Sequence, residues 1–455
     1  MIPSSAESLG PPPHSVSNAS ADRLGGLSRL LSRCQQHLAA FGLLGFAFAS
    51  QLGFQLIYFF ILTRMLGPHV FGQYASVLAT INLVSPVVGL GFAELSVLRV
   101  SQNREHAGIW AANTLAVHFV LGLVFAAAFG SLAWWLAFDG WLAPSLVFGI
   151  SFLELVLLRA CLALGRVHQG RGEMGQTSLI YSGVAALKAA IALGIFICGL
   201  RSLSALVVVS VMCFVPVTAW LAHRLCKNAT PSARPSLRLL WRNARSGLGF
   251  AGGTAGRAAY AEVDKLFLAV WTASQTVGTY VAGHKILTIA VMPVWAVLEA
   301  TFPRQVQLAG DDPKSCRKFT RNLLWINLAI AFPIAVLIYQ TAPLLVWILG
   351  QDYANSASVL QWGCLLPVLQ AFQFTLGGYL AATGRQETRA VLQVVGLVVL
   401  IAGLAATIPQ YSWRGVIVVS IACEGLTGLL FAMGAWMTRP KLSASDQTSI
   451  RETEA

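Results

Sequence analysis

Residues 389–408 read RAVLQVVGLVVLIAGLAATI, twenty positions whose only charge is the first residue. Wound as a helix, about 20 apolar residues at 1.5 Å each cover the ~30 Å hydrocarbon core of a bilayer. Outward from this stretch, eleven further runs obey the same rule: 39–63, 73–98, 107–136, 144–165, 177–199, 203–223, 247–271, 275–301, 322–348, 356–383 and 415–437. The sequence therefore predicts an all-α polytopic membrane protein with about twelve transmembrane helices. The runs 247–271 and 275–301 carry charges and are the least apolar of the set.

Composition agrees. Of 455 residues, 56% are hydrophobic and 11% charged, where a soluble domain carries about 25% charge, and the mean hydropathy is +0.68. There are too few charges for a water-facing shell, which excludes an ordinary cytosolic enzyme, an extracellular scaffold and a disordered chain. The net charge of +13 does not point to nucleic acid, because the Lys and Arg sit in short connections between apolar runs, as membrane orientation requires. Eight cysteines show no CxxC and no Cys/His metal spacing, so no disulfide and no metal is expected. No cofactor is expected either: there is no Gly-rich phosphate loop with a lysine, no ATPase domain and no catalytic constellation.

Orientation follows from the cations. With the N-terminus inside, 23 Lys and Arg fall on the cytoplasmic side and three, Arg64, Arg201 and Arg414, on the other. This asymmetry supports both an even number of spans and cytoplasmic termini. The chain divides into a flexible polar tail (1–37), which is not a signal peptide, a six-helix lobe (38–223), a cytoplasmic linker (224–246), a second six-helix lobe (247–437) and a second cytoplasmic tail (438–455).

The two lobes repeat. Gly67-Pro68-His69-Val70-Phe71-Gly72-Gln73-Tyr74 follows the first run, and Ala273-Ser274-Gln275-Thr276-Val277-Gly278-Thr279-Tyr280 follows the seventh. Gly72 pairs with Gly278 and Tyr74 with Tyr280 at one offset, 206 residues. Six spans separate the copies, so the halves are parallel and related by an axis along the membrane normal.

Arg64-Met65-Leu66-Gly67-Pro68-x-x-Phe71-Gly72-x-Tyr74 resembles the signature after the first helix of Wzx-type polysaccharide flippases, within the multidrug/oligosaccharidyl-lipid/polysaccharide exporter superfamily. Val263-Asp264-Lys265-Leu266-Phe267-Leu268 with Val277-Gly278-x-Tyr280, Pro303-Arg304, and Leu349-Gly350-Gln351-Asp352-Tyr353 are similar to the same family. The likeness covers about 38–437 and departs from the family at Lys285-Ile286. It implies two six-helix lobes in a V that open alternately to either side, a bacterial inner membrane, and an undecaprenyl-diphosphate-linked oligosaccharide as substrate.

Beyond Arg389 at the edge of its run, eleven charges lie inside runs: Arg159, Lys188, Arg257, Lys265 and Lys285, with Glu94, Glu154, Glu262, Asp264, Glu299 and Glu424. At ~2.5–3.5 kcal/mol each, facing lipid would cost on the order of 30 kcal/mol in total, beyond a protein's stability. They are expected to face one another or a wet cavity. Arg257 and Asp264, seven apart with Tyr260 between them, share a helix face, as do Tyr181 and Lys188, and Lys285, Thr288, Met292 and Glu299. Glu262 and Lys265 are spaced to pair as a structural couple. Glu94 and Arg159 lie toward run ends, where snorkelling competes with a cavity role. Glu424 has no helical partner and reads as a packing residue or a hydrogen-bonding one. His118 and His284 read as structural. Gly249, Gly252, Gly253 and Gly256 read as a close-packing surface of small-xxx-small type, with a bending helix as the alternative.

The candidate cavity set is Arg257, Lys188, Lys285, Asp264, Tyr260, Glu299, Glu154 and Arg159. A cationic groove of this kind suits a flippase that carries a lipid-linked diphosphate sugar to the outer leaflet, with membrane lipid, a polysaccharide polymerase and chain-length machinery as candidate partners. The alternative is a multidrug-type, cation-coupled antiporter of the same superfamily, whose cavity would be net acidic.

Overall fold

The computed structural model describes residues 18–135, 142–227 and 235–437. The first seventeen residues, the tail 438–455 and the middle of the 224–246 connection lie outside them. No strand occurs among the described residues; the chain is α-helical with short 3₁₀ and π segments.

Eight helices are long and apolar enough to cross a membrane, and a ninth crossing is the pair Gln351–Gly363 and Leu366–Ala382, bent by 47°. Two of the eight are hairpins. Helix Asn18–Val88 breaks at Gly67 (φ 69, ψ 168), a left-handed conformation that costs glycine least. Past that break Tyr58 and Tyr74, sixteen residues apart, meet hydroxyl to hydroxyl at 3.1 Å, where a straight helix would hold them roughly 24 Å apart. Helix Gln386–Met437 breaks at Ser412 and also folds back, since Cys423 Sγ donates to the Gly396 carbonyl. Helix Leu237–Trp271, whose charges keep it below the apolarity of the others, completes twelve spans.

Several spans depart from simple rods. The second ends at Val88, turns through Leu90 and Gly91 (φ 46 and 65), and resumes as Phe92–Gln102, so the expected unbroken 73–98 is two pieces. The eighth is split at Val291 into Ser274–Ala290 and Met292–Asp311, because Pro293 supplies no N–H to the ladder and crowds the preceding turn. The fourth carries a π segment over Phe152–Leu158, a form that recurs at functional sites. The helix that holds the first span starts at Asn18 rather than near 39; Leu24, Leu27 and Leu31 give that segment helical periodicity, and no proline interrupts it. The seventh starts at Leu237, so the last ten residues of the expected linker, 237–246, are helical.

The twelve spans form two six-helix lobes in parallel repeat. The face that carries the connections near Arg104, Arg171, Asp312 and Arg385 is called the basic face below. The lobes meet along one seam. Away from the basic face, Gly72 abuts Ser274 and Gly278, and Gly278 abuts Pro68 and Gly72, so tightly that a Cβ on either glycine would strike backbone. Toward the basic face, Gly91 and Gly247 touch backbone to backbone. The Tyr353 hydroxyl, from the second lobe, donates to the Thr63 carbonyl at 3.0 Å.

Candidate functional site

The polar cluster sits on this seam. In the first lobe, Lys188 Nζ meets Glu154 Oε1 at 2.8 Å and lies 5.1 Å from the centre of the Tyr58 ring. Glu154 occupies the π segment, whose extra residue per turn re-aims side chains relative to an α-helix. Both side chains are mostly covered, at 21% and 17% exposure, and the pairing lowers the cost of leaving either charge inside the membrane.

In the second lobe, Lys265 Nζ reaches Glu262 Oε2 at 3.0 Å and Asp264 Oδ1 at 3.6 Å, and also donates to the Ala261 carbonyl. Asp264 is buried and accepts a 2.5 Å hydrogen bond from the Tyr280 hydroxyl. The halves are joined by Asn82, whose Nδ2 donates to Glu262 at 3.1 Å and whose Oδ1 accepts from Arg159 at 3.3 Å. One chain of contacts thus runs Arg159, Asn82, Glu262, Lys265, Asp264, Tyr280, across both lobes. Lys285 lies within electrostatic reach of Lys265, Glu262 and Lys188 yet makes no hydrogen bond or ion pair among the described residues. Around the seam Arg159, Lys188, Lys265 and Lys285 stand with Glu154, Glu262 and Asp264, each of which is paired, and Glu94 lies within electrostatic reach of Arg159.

Several sequence expectations are corrected. Asp264 takes its neighbour Lys265 and Tyr280 as partners, because the long Lys265 chain curls back along its own helix. Arg159 does not snorkel; it turns inward to Asn82. Arg257 is exposed while Asp264 is buried, so the two do not share surroundings. Tyr260 points away from the seam, its hydroxyl 3.9 Å from Cys423 Sγ in the twelfth span. Glu299 lies past the break at Val291, exposed and without a hydrogen bond or ion pair among the described residues. The glycine stripe is not a packing surface: a Cβ at Gly249, Gly252, Gly253 or Gly256 would meet nothing within 4 Å. The Glu262–Lys265 pair forms as its spacing requires. Glu424 is buried and accepts from Gln370 Nε2 at 3.0 Å, a hydrogen bond between spans.

Two residues went unread in sequence, Asn82 and Tyr58, and Arg389 was counted only among the cytoplasmic cations. For Tyr58 a signal existed, because the 206-residue offset carries Asp264 onto Tyr58. In each lobe, the repeat tyrosine bonds the residue sixteen positions before it.

Twelve spans in two parallel lobes, with a charged seam between them, define a multi-pass membrane transporter. The polysaccharide biosynthesis protein family matches residues 40–309, well over half of the chain, and this chain belongs to that family. The MatE family matches residues 257–406. Among solved structures, a multidrug resistance MATE family transporter of the MOP superfamily in its inward-facing conformation aligns with 89% of this chain and 96% of its own, at TM-score 0.67 and 14% identity. A MOP superfamily transporter from Pyrococcus furiosus Vc1, described as having a binding pocket of reverse polarity, aligns over 88% and 94%, at TM-score 0.60 and 15% identity. At such identities the likeness is one of fold. No curated protein matches the chain.

Proposed function

We propose that this protein is a flippase for a polyprenyl-diphosphate-linked oligosaccharide, moving it from the cytoplasmic to the outer leaflet of a bacterial inner membrane during surface polysaccharide export. One observation supports the reading: Glu154, Glu262 and Asp264 are already paired, while among the described residues Lys285 makes no ion pair or hydrogen bond and the Arg159 guanidinium hydrogen-bonds only to an amide. Such a seam offers cationic groups to an anion.

A diphosphate bearing sugars cannot cross hydrocarbon unaided, because stripping its water costs many kcal/mol. Fixed cations between the lobes replace that water, and the polyprenyl tail stays in lipid. With the basic face in the cytoplasm, an inside-negative potential drives the anion outward; two charges across about 100 mV gain ~4.6 kcal/mol. A polysaccharide polymerase and its chain-length machinery would receive the product.

The MatE match over 257–406 favours a second reading, a multidrug-type, cation-coupled antiporter. The deciding experiment is transport by purified protein in proteoliposomes. Translocation of a fluorescent undecaprenyl-diphosphate oligosaccharide, with no efflux of ethidium, is expected. Ethidium efflux without lipid translocation reverses the assignment.

A further inference from the structure

The seventh span is held on both sides of its glycine stripe. Tyr260 reaches Cys423 in its own lobe, and Gly247 lies on Leu90 and Gly91 of the other. Between them Gly249, Gly252, Gly253, Gly256 and Arg257 are exposed, and the four glycines face open space. Arg257 therefore stands where the helix leaves its lobe and crosses the gap. It makes no hydrogen bond or ion pair among the described residues.

Arg389 belongs to the eleventh span, and the register between the two helices is fixed by contacts. Cys423 Sγ approaches the Tyr260 hydroxyl on one side and donates to the Gly396 carbonyl on the other at 3.1 Å, which sets Tyr260 and Gly396 at about one level. Arg257 is three residues toward the basic face from Tyr260, and Arg389 seven from Gly396. At 1.5 Å per residue the two differ in height by roughly 6 Å, less than the length of an extended arginine. Three and seven residues also keep each arginine on the helix face of its marker. The guanidiniums do act on one another electrostatically. The Arg389 Nε is buried without a hydrogen-bond partner, and neither arginine has an acidic partner among the described residues.

Two guanidiniums within electrostatic reach of each other repel, and a buried N–H without an acceptor is costly. An anion with several oxygens relieves both, and a planar fork suits phosphate oxygens bidentately. We infer that Arg257 and Arg389 form a two-armed clamp for a diphosphate group, on the basic-face side of the seam and open to the gap beside the glycine stripe. The bare glycines leave room next to Arg257 for the first sugar or the start of the lipid chain. This deepens the flippase reading and rests on it: the clamp is where the head group is first held, before the seam cations.

The test is binding to the full chain in nanodiscs, with undecaprenyl diphosphate, undecaprenyl monophosphate and inorganic pyrophosphate as probes. The wild type should bind the diphosphate lipid more tightly than the monophosphate. Arg389→Gln and Arg257→Gln should each weaken diphosphate binding by on the order of tenfold, the loss expected from a charge-assisted contact. The double variant should lose little beyond either single one, because the arms act together. Arg389→Lys, which keeps the charge and guards against misfolding, should bind at an intermediate level. If the wild type binds the diphosphate lipid and Arg389→Gln binds it equally well, the clamp is overturned and the flippase reading stands. If pyrophosphate alone binds, in an arginine-dependent way, the clamp stands as a soluble-anion site and the lipid reading falls. If no probe binds the wild type, both fall.

Discussion

Gly72 and Gly278, equivalent residues of the two repeats, lie against each other across the lobe seam with no room for a side chain on either. The repeat motif thus marks a place where the copies touch.

Alanine at either position puts a methyl group into backbone: the Ser274 carbonyl for Gly72→Ala and the Pro68 carbonyl for Gly278→Ala. No rotamer change relieves a backbone clash, so each should destabilise by about 1–3 kcal/mol, the usual cost of overpacking. Gly249→Ala, with nothing within 4 Å, should be neutral or gain ~0.5–1 kcal/mol of helix preference. Melting of the purified variants checks this, and a Gly72→Ala protein that melts no lower than Gly249→Ala would remove the close approach from the account.

The two repeat tyrosines predict an asymmetry. Tyr280 donates to the Asp264 carboxylate at 2.5 Å, whereas Tyr74 meets the neutral Tyr58 hydroxyl at 3.1 Å. Hydrogen bonds to charged groups exceed neutral ones in strength. Tyr280→Phe should therefore destabilise more than Tyr74→Phe. A double-mutant cycle of Tyr280→Phe with Asp264→Asn should give a coupling energy of about 0.5–3 kcal/mol, and a value near zero would show that the pair does no structural work.

Much of this was legible in the sequence, and the limits have physical causes. The spans follow from run length, and the two-lobe repeat from Gly72, Tyr74 and their copies. Glu262–Lys265 follows from helical spacing. The partners of Lys188 and Arg159 did not follow, because they lie on other spans and sequence spacing reports only one helix at a time. The glycine stripe misled: four glycines at helical spacing look alike whether they face a packed helix or a gap. Arg389 was read as a loop cation, since a residue at a run's edge carries no sign of what stands opposite it.

Asn82 ties the lobes through an amide whose two ends meet opposite charges, Arg159 at 3.3 Å and Glu262 at 3.1 Å. Asn82→Ala should release both and lower transport with insertion intact. Asn82→Asp keeps an acceptor for Arg159 but sets a carboxylate against Glu262, so it should impair transport more than alanine does. Equal transport by Asn82→Asp and the wild type would show that the bridge is incidental.

The 23-to-3 distribution of cations predicts a cytoplasmic position for residues 235 and 315. Alkaline phosphatase fused at either position should be inactive, and a β-galactosidase fusion active. Phosphatase activity at 235 or 315 would invert the orientation and, with it, the direction in which the membrane potential acts on an anion.

Lys188 and Glu154 allow structure to be separated from transport. The pair is close, at 2.8 Å, and mostly covered, so removing one partner strands the other. For a fully buried pair that costs about 3–5 kcal/mol; with exposures of 21% and 17% the loss here should be smaller. Lys188→Met should therefore lower the melting temperature, and so should Glu154→Met. Removing both charges strands nothing, and replacing a whole pair by apolar residues is often neutral, so Lys188→Met with Glu154→Met should recover most of the stability. Transport should then report the role. If Lys188 serves only to neutralise Glu154, the double variant recovers translocation along with stability. If Lys188 leaves Glu154 to hold the anion during the cycle, the double variant is stable but inactive, and the charge swap Lys188→Glu with Glu154→Lys restores some translocation by keeping a cation at the seam. The cationic seam argued above requires the second pattern. Full translocation by the stable double variant would confine anion binding to Lys285, Arg257 and their neighbours.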